Sequence, residues 1–291
     1  MRCCLVLSLF FPGLFLAAHA AEPGAAPVAH AAPRYAHVVV VIEENKSFAT
    51  IIGSQQAPYI NHLAQHGLLF TDAHGVTHPS QPNYIALFSG STQGVKDDSC
   101  PHDFSGPNLA EGMLARKLSF VIYSEAMPEA GFSGCGSEDR LYRRKHNPVA
   151  DWQAVLPAAV NQPFSAFPQD YSRLPALAFV VPNMMNDMHD GSIGEGDSWL
   201  KQHLDAYVRW AGSHDSLLIV TWDESDARSS SNRIPMIALG ANIKPGSSAQ
   251  YLTHYNLLRT LADMYGLKPM GNAETAEPIH GIGHRMKLSH P

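Results

Sequence analysis

The chain of 291 residues is short of cysteine, of basic charge and of long apolar runs, and each shortage excludes something. Leu5 to Ala18 is the one run apolar enough to concern a membrane, and it is shorter than the roughly 20 residues a span needs. It follows Arg2 and leads into Ala18-His-Ala20, a small-x-small pattern, so residues 1–20 read as a cleaved secretory signal, not an anchor. Without Arg2, Lys+Arg falls from 20 to 19 against 26 acidic residues, a net charge of about −7 with histidine neutral. That argues against bulk nucleic-acid binding, although Arg140-Leu-Tyr-Arg-Arg-Lys-His146 forms one local basic patch. Of four cysteines, Cys3 and Cys4 leave with the signal. Cys100 and Cys135 remain, and in an exported chain they most simply pair with each other. Two thiolates without further ligands nearby make a poor zinc cage. No internal repeat is visible.

Residues 21–34, rich in Ala, Pro and Gly, read as a linker. The remainder, 35–291 with its core over about 35–270, fits a single domain. Val38–Ile42 is a β-branched run suited to a strand buried on both faces. Strands are also expected at Leu68–Phe70, Leu118–Tyr123, Ala176–Val181, Ser216–Thr221 and Met236–Leu239. Helices are expected at Tyr59–His66, Asn83–Phe88, Leu109–Ala115, Ser198–Ala211 and His254–Tyr265. Pro82 suits the first turn of the second of these and Ser80 its N-cap, while Gly266 suits the C-cap of the last. Residues 124–170 read as loop-rich. Strands alternating with helices predict an α/β fold, a mostly parallel sheet with helices on both faces. Ligands of such sheets lie beyond the carboxyl ends of the strands. The polar segments Glu44-Asn45, Asn183 to Asp190 and Asp223-Glu224 all fall at such ends.

These segments carry chemistry. A carboxylate and an amide oxygen at Glu44-Asn45 suit a hard divalent cation. The adjacent acids Asp223-Glu224, ending a buried strand, are costly unless a cation neutralises them. Ser80 stands at a helix start, where the dipole favours both an alkoxide nucleophile and a phosphate carried on it. Asn83, one turn on, is placed to donate to a non-bridging oxygen. His146 and His189 are the best candidates to contact phosphate or protonate a leaving alkoxide. Asp190 and Asp197 are candidates to orient His189 or to cap the helix expected from Ser198. His78, beside Ser80, and His254 are weaker candidates.

Taken in order, the segments resemble a bacterial phosphoesterase family of the alkaline phosphatase superfamily, which contains secreted acid phosphatases and phosphatidylcholine-type phospholipases C. The likeness rests on Ala36-His-Val-Val-Val-Val-Ile-Glu-Glu-Asn45, Thr77-His-Pro-Ser-Gln-Pro-Asn-Tyr84, Arg144-Lys-His146, Pro182-Asn-Met-Met-Asn-Asp-Met-His-Asp-Gly-Ser192, Thr221-Trp-Asp-Glu224 and His254-Tyr-Asn-Leu-Leu258, and spans about 35–270. It implies a metal held by Glu44, Asn45, Ser80, Asp223 and Glu224, with Ser80 as nucleophile and His146 and His189 on the phosphate. Asn83, His146, His189 and Asp190 then make up the substrate side, and Cys100 and Cys135 match a cysteine pair of the family. Ser80-Gln-Pro-Asn83 is also similar to the Thr-x-Pro-Asn of nucleotide pyrophosphatases, which bind two zincs. A full second ligand set is not found here, so one metal is expected, be it Mg, Ca, Mn or Zn.

The expected activity is a secreted or periplasmic acid phosphatase acting on phosphate monoesters. A phosphoinositide is one candidate substrate, its headgroup met at a membrane surface by Arg140, Arg143, Arg144 and Lys145. A phospholipase C is the alternative. The chain ends soon after the last expected helix, without the added C-terminal domains of the larger phospholipases, which favours the monoesterase. An inactive binding protein is disfavoured because nucleophile and ligand positions are all intact. No obligate protein partner is evident.

Overall fold

A computed structural model describes Met1 and residues 35–282, apart from 227, 228 and 230. The expected signal segment beyond Met1 and the linker at 21–34 lie outside the described residues. The strand of valines is where the fold begins: β1 (His37–Glu43) buries Val38 to Ile42 almost completely. A strand apolar on both faces has to be covered on both sides. Its neighbours are β5 (Leu177–Val181) and β6 (Ser216–Trp222), both parallel to it and both buried along their whole length.

With β2 (Leu68–His74), β3 (Phe120–Ser124), β4 (Asn161–Pro163), β7 (Arg233–Gly240), β8 (Gly246–Ser248) and β9 (Leu252–Thr253), the strands form one nine-stranded sheet. Its order is β4-β3-β5-β1-β6-β7-β2-β8, with β9 also pairing β2. Among the described residues β7 alone runs antiparallel to its neighbours, so the sheet is mixed but mostly parallel.

After the short α1 (Phe48–Ile51) come α2 (Pro58–His66), α3 (Ser80–Ser89), α4 (Leu109–Ala115), α5 (Ile193–Ala211) and α6 (His254–Tyr265). One helix group joins α2 to α5, and the other joins α3 to α4 and α6. Helix α3 is buried along its whole length, which fixes the direction of its first residue, Ser80. Gly90 ends it in the left-handed region at φ 75°, with its amide bonded to Ala86. A Cβ there would lie 2.0 Å from the carbonyl oxygen of Met270, so only glycine permits this close pass of two backbones. Packing continues beyond the expected core limit at 270, with Ala273, Ile279 and Ile282 buried.

Two expected helix starts move. Helix α3 begins at Ser80 rather than Asn83, so Pro79 takes the N-cap place expected for Ser80. Helix α5 starts at Ile193 rather than near Ser198, because Ser192 and Glu195 form a capping box. Asp197 therefore lies inside that helix. Its carboxylate accepts from the amides of Tyr59 and Ile60 and so caps α2. Cys100 and Cys135 are joined in a disulfide with Cα atoms 5.9 Å apart.

Candidate active site

The carboxyl ends of β1, β5 and β6 lie side by side, and each delivers an acidic segment to the same edge. The amide of Asp223 bonds to the carbonyl of Glu43 at 2.9 Å, locking the ends of β1 and β6 together. Asn45, at φ 55°, turns the chain just beyond β1 and donates its own amide to Asp223 Oδ1 at 3.0 Å. Glu44 and Asp223 are buried, and Glu224 is nearly so.

Ser80, the first residue of α3, points into this acidic edge. Its Oγ lies 2.9 Å from Glu44 Oε2 and 3.2 Å from Glu224 Oε1. Asn45 Nδ2 donates to the same Glu44 oxygen at 3.1 Å, while Tyr84 O–H donates to Glu44 Oε1 at 2.5 Å. Burial, reinforced by Asp223 and Asp187, holds the Glu44 carboxyl well above its usual pKa. Burial likewise lifts Asp223 to about 6 and, with the charge of Asp223, Glu224 to about 8. Among the described residues Asp223 Oδ2 is buried with no hydrogen-bond partner.

Three buried acids around one hydroxyl, one of them with an unpartnered oxygen, fit a divalent cation. Without one, burial favours the protonated form of each acid. Glu44, Asp223, Glu224, the amide oxygen of Asn45 and Ser80 Oγ are hard oxygen donors.

The other side of the site, where a phosphate was expected, is built from α3, the segment after Cys135 and the loop after β5. The amide of Gln81 donates to Asp98 Oδ1 at 3.0 Å, and Asp98 Oδ2 accepts from Lys145 Nζ at 2.8 Å. Lys145 Nζ then lies 3.1 Å from His189 Nε2, while His189 Nδ1 meets Asp190 Oδ1 at 2.7 Å. A cation and an imidazole therefore stand next to the start of α3, tied to it through Asp98. A nitrogen of His146, one of His189 and an oxygen of Glu44 all lie within 4.8 Å of one another.

The phosphoesterase family model matches residues 53–268. The chain belongs to the phosphoesterase family. A phosphatidylinositol-3-phosphatase of Mycobacterium tuberculosis is 44% identical over 284 residues, covering 97% of this chain and 94% of that protein. A phosphate-repressible acid phosphatase of Penicillium chrysogenum is 32% identical over 229 residues, and the matched part is 55% of the fungal protein. Among solved structures, an alkaline phosphatase superfamily protein from Vibrio parahaemolyticus has a TM-score of 0.57 at 13% identity, covering 85% of this chain and 71% of that one. A phosphonate monoester hydrolase from Silicibacter pomeroyi has a TM-score of 0.56 at 13% identity, covering 88% and 78%. At such identity these two establish the alkaline-phosphatase-like α/β fold and nothing finer.

Within this phosphoesterase, several expected residues stand elsewhere than the sequence suggested. Asn83, expected to donate to an anion, is hydrogen-bonded within its own loop. Its Oδ1 accepts from the amides of Val76 and Thr77, and its Nδ2 donates to the carbonyls of Thr77 and Pro79. Its amide is occupied in shaping the loop that leads into Ser80. His146 is buried, with Nε2 3.2 Å from Glu44 Oε1 and Nδ1 3.3 Å from Asp187 Oδ2. Both ring nitrogens thus face carboxylates. Burial, with Lys145, His189 and Arg143, holds its pKa well down, while burial holds that of Asp187 well up.

Arg144 is buried on Asp151 and the carbonyl of Ser133, so it braces the fold and is not offered to a headgroup. Arg140 is exposed and Arg143 half-buried. Asp190 is exposed and orients His189 from outside. His78 pairs with Glu224 Oε2. His254 Nε2 is 2.5 Å from the carbonyl of Asp223, and burial pushes its pKa down to about 4, so this ring supports the end of β6 in its neutral form.

Sequence reasoning missed Tyr84, Asp98 and Asp187 as members of the site. Tyr84 lies four residues after Ser80, a spacing that puts both on one helix face and would have found it. Asp187 sits two residues before His189. Asp98 carries no local signal, since only the folded chain brings it to Lys145.

Proposed function

We propose that this phosphoesterase is an exported acid phosphatase that hydrolyses phosphate monoesters with one divalent cation, through a phosphoserine on Ser80. The observation that carries the reading is the Ser80 hydroxyl, set at the start of a buried helix between Glu44 and Glu224. Glu44, Asn45, Ser80, Asp223 and Glu224 would hold the cation, whose charge, when bound, lowers the hydroxyl pKa and offsets charge on a phosphoryl oxygen. The donor set suits Mg, Ca or Mn, and Zn also fits its geometry-tolerant oxygen ligands.

The chain's own residues divide the work as follows. Ser80 Oγ attacks phosphorus in line, and its proton passes to Glu224. The bond to the leaving alcohol breaks, and the alcohol oxygen takes a proton from the His189–Lys145 pair. The positive end of α3 and the ammonium of Lys145 stabilise the phosphoryl charge. Water then attacks the phosphoserine and returns its proton to His189–Lys145. Ser80 recovers its own from Glu224 as inorganic phosphate departs.

The substrate class is a phosphate monoester, with phosphatidylinositol 3-phosphate favoured by the named activity of the mycobacterial relative. Arg140 and Arg143 would meet the anionic surface that carries it. Residues 1–20 would direct export, and no helix among the described residues is long and apolar enough to cross a membrane.

The test is phosphate release by the purified protein from a nitrophenyl monoester, its bis-ester, phosphatidylinositol 3-phosphate and phosphatidylcholine, with and without chelator. Monoester preference, lost in Ser80→Ala and reduced by chelator, is expected. Preference for the bis-ester and phosphatidylcholine overturns it in favour of a phospholipase C.

A further inference from the structure

Granted the phosphatase reading above, on which this rests, we propose that Asp98 is a positioning residue that holds the Lys145 ammonium at the start of α3, where phosphoryl charge develops. Its two carboxylate oxygens go to two different parts of the site. Oδ1 accepts the amide of Gln81, the residue after Ser80, at 3.0 Å. Oδ2 accepts from Lys145 Nζ at 2.8 Å. One side chain thus ties the lysine to the helix that presents the serine.

Lysine needs such a tie. Its ammonium ends a flexible four-carbon stem and keeps one place only where partners fix it. A charge fixed before the reaction stabilises the transition state without reorganising. Lys145 Nζ has Asp98 on one side and His189 Nε2, 3.1 Å away, on the other. The pair is not an ordinary surface ion pair, which lies in water and contributes little. The lysine side chain is only 15% exposed and the aspartate 30%.

Asp98 can act as an anchor because its own loop is tied down next to the lysine. Two residues on, Cys100 is joined to Cys135, and the Cys135 carbonyl accepts the amide of Arg144 at 3.2 Å. Arg144, which precedes Lys145, is buried and reaches back to the same loop. Its Nη2 donates to the His102 carbonyl and, at 3.2 Å, to Asp103 Oδ1. A covalent bond and a buried guanidinium therefore hold the loop of Asp98 and the segment of Lys145 in register. A carboxylate that merely capped α3 would need neither the lysine nor this bracing.

The experiment is a double-mutant cycle of Asp98→Ala and Lys145→Ala, with kinetics on a nitrophenyl monoester corrected for folded fraction. Beside it, NMR of lysine-labelled protein follows the Lys145 side-chain signal, assigned by its loss in Lys145→Ala. Asp98→Ala alone should lower kcat roughly 10–100-fold and shift the Lys145 signal. In the Lys145→Ala background the same change should alter kcat by no more than about twofold, because the residue acts through the lysine. Asp98→Asn keeps the shape of the side chain but has one oxygen for two donors, so it should lose kcat in the same direction with the melting temperature little changed. An equal kcat loss in both backgrounds, an unchanged kcat in Asp98→Ala, or a wild-type Lys145 signal there would overturn the proposal. If the wild-type protein releases no phosphate at all, the phosphatase reading fails, while the Lys145 signal still decides whether Asp98 places the lysine.

Discussion

Ser80 Oγ and Glu224 Oε1 lie 3.2 Å apart although 144 positions separate the residues in the chain. One is the first residue of a buried helix and the other follows the end of a central strand. Their meeting sets the Ser80 hydroxyl between Glu224 and Glu44.

Replacing Ser80 with alanine should remove turnover, by about a thousandfold or more, as loss of a nucleophile does. The fold should survive, because only one oxygen is removed and the buried helix α3 keeps its packing. Phosphate release and a melting curve measured on one preparation check both halves.

Removing the cation should cost stability as well as activity. Glu44, Asp223 and Glu224 are buried around one point, and a ligand that binds only the folded state raises its melting temperature. A chelator should lower the melting temperature and abolish most activity, and adding back Mn, Mg, Ca or Zn one at a time identifies the metal that restores both. No change in melting temperature with chelator would remove the metal from the proposal.

The metal-free protein should lose stability as pH rises. Asp223 is pushed up to about 6 and Glu224 to about 8, both first by burial. The folded state thus holds protons that the unfolded chain has already released, so the unfolding free energy falls with pH across that interval. The melting temperature of chelated protein should therefore decline from about pH 4.5 to about pH 8 and then level off. Saturating metal should flatten the decline. Calorimetry at a series of pH values, with and without metal, checks the sign.

Charge reversal at Arg140 and Arg143 should separate lipid from soluble substrate. Both lie in the basic segment beside His146, and neither is buried. The double change to glutamate should lower hydrolysis of phosphatidylinositol 3-phosphate in anionic vesicles by about tenfold or more, at ~1 kcal/mol for each basic group near such a surface. Nitrophenyl phosphate turnover should stay within about twofold, since surface charges act on distant soluble chemistry only weakly. Arg144 is left out of the test because it is buried on Asp151.

Reducing the Cys100–Cys135 bond should destabilise the fold. The two cysteines are 35 positions apart, and freeing a loop of that size costs about 4 kcal/mol in the chain-entropy account. A drop of roughly 8–15 °C in melting temperature is expected on adding reductant.

The sequence by itself determined the strands and much of the chemistry. A valine run followed by two acids reads as a central strand with its polar end at the sheet edge, so β1 and the place of Glu44 were legible. Helices α4 and α6 fell where their spacing put them, because their caps and apolar stripes are local features. Contacts made across the fold were not legible. Asn83 looked like an anion donor, yet its amide closes the loop before Ser80, and nothing in its neighbours reveals which carbonyls come within reach. His146 looked like a phosphate ligand, yet it lies between Glu44 and Asp187. Arg144 looked like part of a surface patch and is buried. Propensity and periodicity act over a few residues and settle which elements form. Which buried polar groups satisfy one another depends on the three-dimensional approach of distant segments, and only the tertiary structure decided that.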